Sequence, residues 1–276
     1  MASRTMFWAL FSVLVLCWSV ATSSEVEDES EFNYHEDSVR GPARWGELRS
    51  EWRTCSSGTM QSPIDLSNER VEVVSSLGWL NRSYRPSSAM LKNRGHDIML
   101  KWEQGAGHIR VNGTQYVLGQ CHWHSPSEHS VDGQRFDLEL HMVHEGPNGE
   151  ATVVGLMYKL GRPDSFLSLI TSHLEAIAYR GEVERQIGTV NPKAIRLGSR
   201  KYYSYIGSLT IPPCTQNVQW TIVEKVRTVS QEQVKLLRDA VHDYAESNAR
   251  PLQPINGRPV QLFRPSNIES ESNNKP

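Results

Sequence analysis

Along much of the chain, apolar and polar positions alternate with a period of two. The stretches DIMLKW (97–102), IRVNGTQYVLGQCHWH (109–124), FDLELHMVH (136–144), TVVGLMYKLG (152–161) and VQWTIVEK (218–225) add β-branched and aromatic residues to that alternation, which predicts strands. Apolar residues at helical spacing are confined to two stretches. These are SFLSLITSHLEAIAYR (165–180) and, behind a serine cap, SQEQVKLLRDAVHDYA (230–245). The pattern predicts a β-rich α+β fold with a few peripheral helices. No linker-like shift, repeat or low-complexity run interrupts residues 32–267, so one domain is expected there.

The two ends read differently. Arg4 precedes an apolar run from Met6 to Val20, and small residues follow at Ala21, Thr22, Ser23 and Ser24. That order predicts a cleaved signal peptide over 1–23. A membrane anchor is the rival reading, but the run falls short of the roughly 20 residues a spanning helix needs. An acidic leader (24–31) comes next, and a polar tail (268–276) closes the chain. No stable membrane insertion is expected after cleavage. The chain is directed to the secretory pathway and outward from the cell, with a plastid reached by that route as the second destination. A net charge of −2 gives no electrostatic reason to expect nucleic acid as a partner. Cys17 leaves with the signal, so Cys55, Cys121 and Cys214 remain. Cys121 lies inside a predicted strand, which favours a Cys55–Cys214 bridge and leaves Cys121 as a small buried hydrophobe. Asn81 and Asn112 head sequons compatible with glycosylation.

Five of the ten histidines fall between Gln120 and His144. Strand side chains alternate faces, so Gln120, His122 and His124 share one, and Asp137, Glu139, His141 and Val143 share another. If the Asp132-Gly133 turn holds the register of the two strands, His124 faces His141 and His122 faces Val143. Facing Cβ atoms lie roughly 4.5–5.5 Å apart, close enough for several imidazoles to reach one ion. His122, His124 and His141 are therefore the candidate metal ligands, and three neutral imidazoles with one open position suit catalytic zinc. Gln120 and Glu139, each two residues from a ligand on the same face, are candidate partners for the second ring nitrogens. His129 and His144 lack the face and spacing and are read as scaffold. The spacing of His122, His124 and Glu128 also fits a cupin core, but Tyr116 stands where that motif needs glycine.

GPARWG (41–46), CSSGTMQSPIDL (55–66), LKNRGHDIMLKW (91–102), the histidine stretch and GSLTIPPCTQNVQW (207–220) occur in this order. Together they resemble the alpha-class carbonic anhydrases, most closely the plant members, over nearly all of Phe32 to Pro265. The resemblance implies a large, mostly antiparallel, twisted central sheet and a zinc-dependent reversible hydration of carbon dioxide to bicarbonate. It implies His122, His124 and His141 as ligands, with Gln120 and Glu139 behind them. Thr210 would orient the zinc-bound nucleophile and donate to Glu128, His96 would shuttle protons, and Tyr34 would order water. Val143, Val153, Leu209 and Trp220 would form the wall beside carbon dioxide, with Ile211 next to the product. The Cys55–Cys214 disulfide and cis bonds at Ser62–Pro63 and Pro212–Pro213 are further implications. Ile211 and Arg94 depart from a common threonine and a common asparagine, and neither touches a ligand. A storage or binding protein of the same fold with weak or no turnover is the alternative function. The chain is expected to be a monomer or dimer.

Overall fold

A computed structural model of the protein describes residues 31–180, 183–241 and 247–265. The signal, most of the leader, and the tail lie outside them. A 13-stranded mixed sheet, mostly antiparallel, runs through the molecule. Its central path, in spatial order, is Glu184–Val190, Ser87–Asn93, Ile98–Trp102, Thr114–His124, Leu138–Glu145, Ala151–Leu160, Gln216–Val223, Tyr202–Ser208, Gln261–Phe263 and Glu72–Val74. The predicted stretch 109–124 is two strands. Asn112 and Gly113 both take positive φ and turn Gly107–Val111 back onto Thr114–His124.

Strand alternation sorts the core. Cys121 and Trp123, with Leu138, Leu140 and Met142 of the next strand, pack on one side against Phe166, Leu167, Ile170 and Leu237. Those last four belong to the helices Ser165–Arg180 and Gln231–Val241. The first helix begins where Asp164 Oδ1 accepts from the N–H groups of Phe166 and Leu167, and the second where Ser230 Oγ accepts from Gln233 N–H. Residues 242–245 of the predicted second helix lie outside the described residues. The opposite side of the sheet carries Gln120, His122, His124, Glu139 and His141, beside a second core of Val153, Met157, Tyr205, Leu209 and Trp220. The helices thus close one face and leave the other for the site. The short helical turns between Pro42 and Ser57 carry no sequence period, and the pattern missed them. They pack Phe32, Tyr34, Trp45 and Trp52 into a third cluster around Cys55 and Cys214.

The expected register needs correcting. His122 faces His141, and His124 faces Glu139, two positions away from the predicted pairing. The Asp132-Gly133 turn does hold its local register, pairing Ser130 with Arg135 and Val131 with Gln134. Between turn and ladder, however, Ser125–His129 runs opposite the shorter Phe136–Leu138. The surplus residues leave the ladder and fold inward. They are secured where Ser127 N–H donates to Phe136 O (2.8 Å) and Phe136 N–H to Ser127 Oγ (2.8 Å). A two-residue slip preserves strand faces, so the proposed ligands still converge. Cys55 and Cys214 form the disulfide, and Cys121 is free and buried. Ser62–Pro63 and Pro212–Pro213 are cis, as is Ser125–Pro126. Asn81 and Asn112 are both exposed.

Candidate metal centre

One ring nitrogen from each of His122, His124 and His141 comes within 4.8 Å of the other two, and all three residues are buried. The second nitrogens are already committed. His122 Nδ1 meets Gln120 Oε1 at 2.9 Å, His124 Nδ1 meets the carbonyl of Asn248 at 2.7 Å, and His141 Nε2 meets Glu139 Oε1 at 2.8 Å. Each acceptor fixes one tautomer, leaving Nε2 of His122 and His124 and Nδ1 of His141 as lone-pair donors. His124 Nε2 is buried without a hydrogen-bond partner among the described residues. An orphaned acceptor aimed at two other imidazoles fits a divalent cation of the zinc type. Burial also pushes His122 well below the usual imidazole value, which keeps it neutral as a ligand must be.

Behind the ligands runs a chain of hydrogen bonds. Glu139 Oε1 also accepts from His129 Nδ1 (2.7 Å), Glu139 Oε2 accepts from His129 N–H (2.8 Å), and His129 Nε2 meets Tyr205 OH (2.7 Å). Tyr205 OH continues to Ser62 Oγ at 2.8 Å. Burial raises the Glu139 carboxyl, but the neighbouring His129 and His141 outweigh it and hold Glu139 ionised, well below the usual range. His129, Glu139 and His141 could also be read as a second metal triad. Their separations are those of hydrogen bonds, so they serve the first triad instead. His129 therefore joins the site's support, whereas His144 bonds Tyr84 OH (2.7 Å) on the helix side.

Glu128, carried inward by the surplus segment, sets Oε2 3.6 Å from His124 Nε2 and 3.9 Å from His141 Nδ1. Its Oε1 accepts from Arg250 N–H at 2.9 Å, while Oε2 has no hydrogen-bond partner among the described residues. The Arg250 guanidinium is buried and donates to Gln61 Oε1, Ser62 O and Cys55 O, each at 2.8 Å. Thr210 is buried in the loop between Ser208 and Cys214, and no hydrogen bond joins it to Glu128. Val153, Leu209 and Trp220 share one apolar cluster with Val143 packed on it, whereas Ile211 belongs to the cluster of Tyr34 and the disulfide. His96 is buried with its ring 5.1 Å from that of Phe32, and Asp97 Oδ2 lies 3.8 Å from His96 Nε2. Asn248 and Arg250 were missed from sequence. They sit in SNARPLQPINGRP (247–259), which has neither strand nor helix period to give them a face.

The family model of eukaryotic-type carbonic anhydrases matches residues 40–264. The chain belongs to the eukaryotic-type, alpha-class carbonic anhydrases. Its reaction is the reversible hydration of carbon dioxide, and its cofactor is zinc. Alpha carbonic anhydrase 7 of Arabidopsis thaliana is 61% identical to this carbonic anhydrase over 262 residues, spanning 94% of this chain and 95% of that protein. The solved structure of dioscorin complexed with ascorbate superposes with a TM-score of 0.84 at 42% identity, covering 86% of this chain and 99% of its own. That of the alpha-carbonic anhydrase from Thermovibrio ammonificans with sulfanilamide gives 0.76 at 32% identity, covering 83% and 98%.

Proposed function

We propose that hydration of carbon dioxide runs at the His122, His124 and His141 centre, with Thr210, Glu128, His96 and Tyr34 as its working groups. Zinc held by the three imidazoles supplies Lewis acidity that brings the pKa of a water from 15.7 to about 7. The convergent buried nitrogens, with every second ring nitrogen already fixed, are the observation that carries this reading.

The chain's own groups supply the rest. The open Glu128 Oε2 is the acceptor for the Thr210 hydroxyl, which turns the threonine's lone pairs toward the attacking oxygen. Thr210 N–H meets the bicarbonate product. Val143, Val153, Leu209 and Trp220 hold an apolar substrate that offers almost no polar handle. Ile211, on the other side of the Thr210 loop, removes a hydroxyl from the product's surroundings. The released proton leaves through His96, and Tyr34 orders the water along its path. No helix among the described residues is long and apolar enough to cross a membrane. The disulfide favours an oxidising compartment, so the chain enters the secretory pathway. Asn81 and Asn112 are exposed positions for glycans there.

The test is zinc content and stopped-flow hydration on purified mature protein, beside His124→Ala. The parent should bind one zinc per chain and hydrate carbon dioxide far above buffer, and the variant should lose both. A zinc-loaded protein no faster than buffer would leave binding as its function.

A further inference from the structure

The strand Asn81–Tyr84 and the loop from Lys193 to Arg200 face each other across an open groove. Two overlapping stretches of it hold about 390 Å³ and about 630 Å³, and both are floored by Leu80 and Leu197. No residue of the metal centre lines it. Arg82, Lys193, Arg196 and Arg200 do, and all four are exposed. Among the described residues no carboxylate lines the groove, and none of the four has an acidic partner. Two carboxylates on adjoining segments are already engaged. Asp164 pairs with Arg227, whose guanidinium also donates to Arg196 O, and Glu224 pairs with Arg264. The Lys225 stem lies beside Gly198, a residue of the groove lining. On a chain of net charge −2, such a cluster is a local feature rather than a consequence of overall charge.

Two of these cations are held in place without being neutralised. The Arg200 guanidinium lies 4.7 Å from the Trp79 ring centre, and that of Arg82 lies 5.8 Å from the Tyr84 ring centre. A carboxylate partner would consume guanidinium N–H donors and cancel the charge. An aromatic ring does neither, and it reduces the side-chain freedom lost on binding. The fork that remains matches carboxylates.

We propose that this groove binds a linear acidic polysaccharide, a chain of uronic acid residues. One exposed ion pair contributes little by itself, so only a ligand that meets several of these cations at once is held. Carboxylates repeated along a polymer do so, and an isolated anion does not. The lining also suits sugars: Asn81 and Ser199 offer amide and hydroxyl partners, and Leu80 and Leu197 meet C–H faces. Single-stranded nucleic acid would need open aromatic faces for its bases, and Trp79 and Tyr84 are taken up by Arg200 and Arg82. A flat anionic bilayer reaches the rims of such a groove but not its floor.

The experiment is chromatography of the secreted Ser83→Ala protein, which breaks the Asn81 sequon and keeps the Asn81 amide, on immobilised polygalacturonate. The protein should be retained at low ionic strength and elute as salt rises. The Arg82→Glu/Arg196→Glu/Arg200→Glu variant should bind about tenfold or more weakly, with hydration activity unchanged. Fully methyl-esterified polymer should retain neither protein. Flow-through of the parent protein, equal retention of the variant, or equal retention on the esterified polymer each overturns the proposal. Retention by phosphatidylserine vesicles without retention by polygalacturonate also overturns it, in favour of a membrane.

Discussion

His141 differs from the other two ligands in the nitrogen it turns to the metal, and Glu139 is the cause. By accepting from His141 Nε2 and from both the ring and backbone N–H of His129, Glu139 uses both oxygens on donors. Glu139→Gln replaces one of those oxygens with an NH₂ group, which cannot accept, and removes the charge. Zinc affinity should fall about 10–100-fold, read by competition with a chelator such as dipicolinate, and unchanged affinity would show that Glu139 does not orient the ligand. His96, proposed above as the proton shuttle, poses a different problem, since a shuttle works best when it titrates near the working pH. His96 is held down at about 4: burial lowers it most, Asp97 offsets part of that, and Arg94 lowers it by less than Asp97 raises it. Asp97 is itself gripped by Arg94 through Nε (2.8 Å) and NH2 (2.5 Å), both side chains being buried. Removing one partner strands a buried charge, so the informative variant is Arg94→Gln/Asp97→Asn. Its hydration rate in dilute buffer should drop several-fold and recover with added imidazole. A rate that falls without imidazole rescue would mean that the pair shapes the loop and does not tune His96.

Elements were legible where a period repeats within one segment and obscure where distant segments decide. The helix Ser165–Arg180 and the strand Leu138–Glu145 follow their apolar periods, and a strand's alternation was enough to put three histidines on one face. The two-position register shift was not legible. It depends on how Ser125–His129 packs, with His129 N–H drawn to Glu139 and Ser125 N–H to Asn248 Oδ1. The same limit hid Asn248 and Arg250, whose roles arise from contacts more than a hundred residues away in sequence. The Thr210 loop is also fixed from afar. Ser62 and Ser208 exchange N–H to Oγ bonds of 2.9 and 3.0 Å at its base, and Cys214 ties its far end to Cys55. The bridge spans 159 residues, for which chain entropy predicts about 5 kcal/mol of stabilisation. Cys55→Ser/Cys214→Ser should therefore lower the urea midpoint strongly. The ligands stand on the sheet and not on this loop, so zinc content should hold while kcat/KM falls. Loss of zinc together with turnover would tie the bridge to the whole site instead.

Across the whole molecule, burying ionisable groups on both sides of one sheet makes stability depend on pH. On the helix side His144 is fully buried, stacked on Tyr84 and bonded to its hydroxyl at 2.7 Å, with Thr152 O 3.3 Å from Nδ1. No carboxylate of the described residues is bonded to it there, and burial pushes it from 6.5 down to about 4. A depressed histidine favours the folded state only while it is neutral. Its contribution is complete above the unfolded value of 6.5, declines as pH falls below that value, and is gone once pH passes below about 4. A shift of this size corresponds to about 3 kcal/mol. His96 shifts in the same sense on the other face, so the acid limb is shared. His144→Gln keeps an amide able to meet Tyr84 but cannot titrate. The variant should be less stable than the parent at pH 7.5, and the gap should narrow steadily toward pH 4. Calorimetric melting of both zinc-loaded proteins across that range measures it, since loss of ligands to protons affects both alike. Melting curves that stay parallel down to pH 4 would move the acid sensitivity away from His144 and onto the metal side of the sheet.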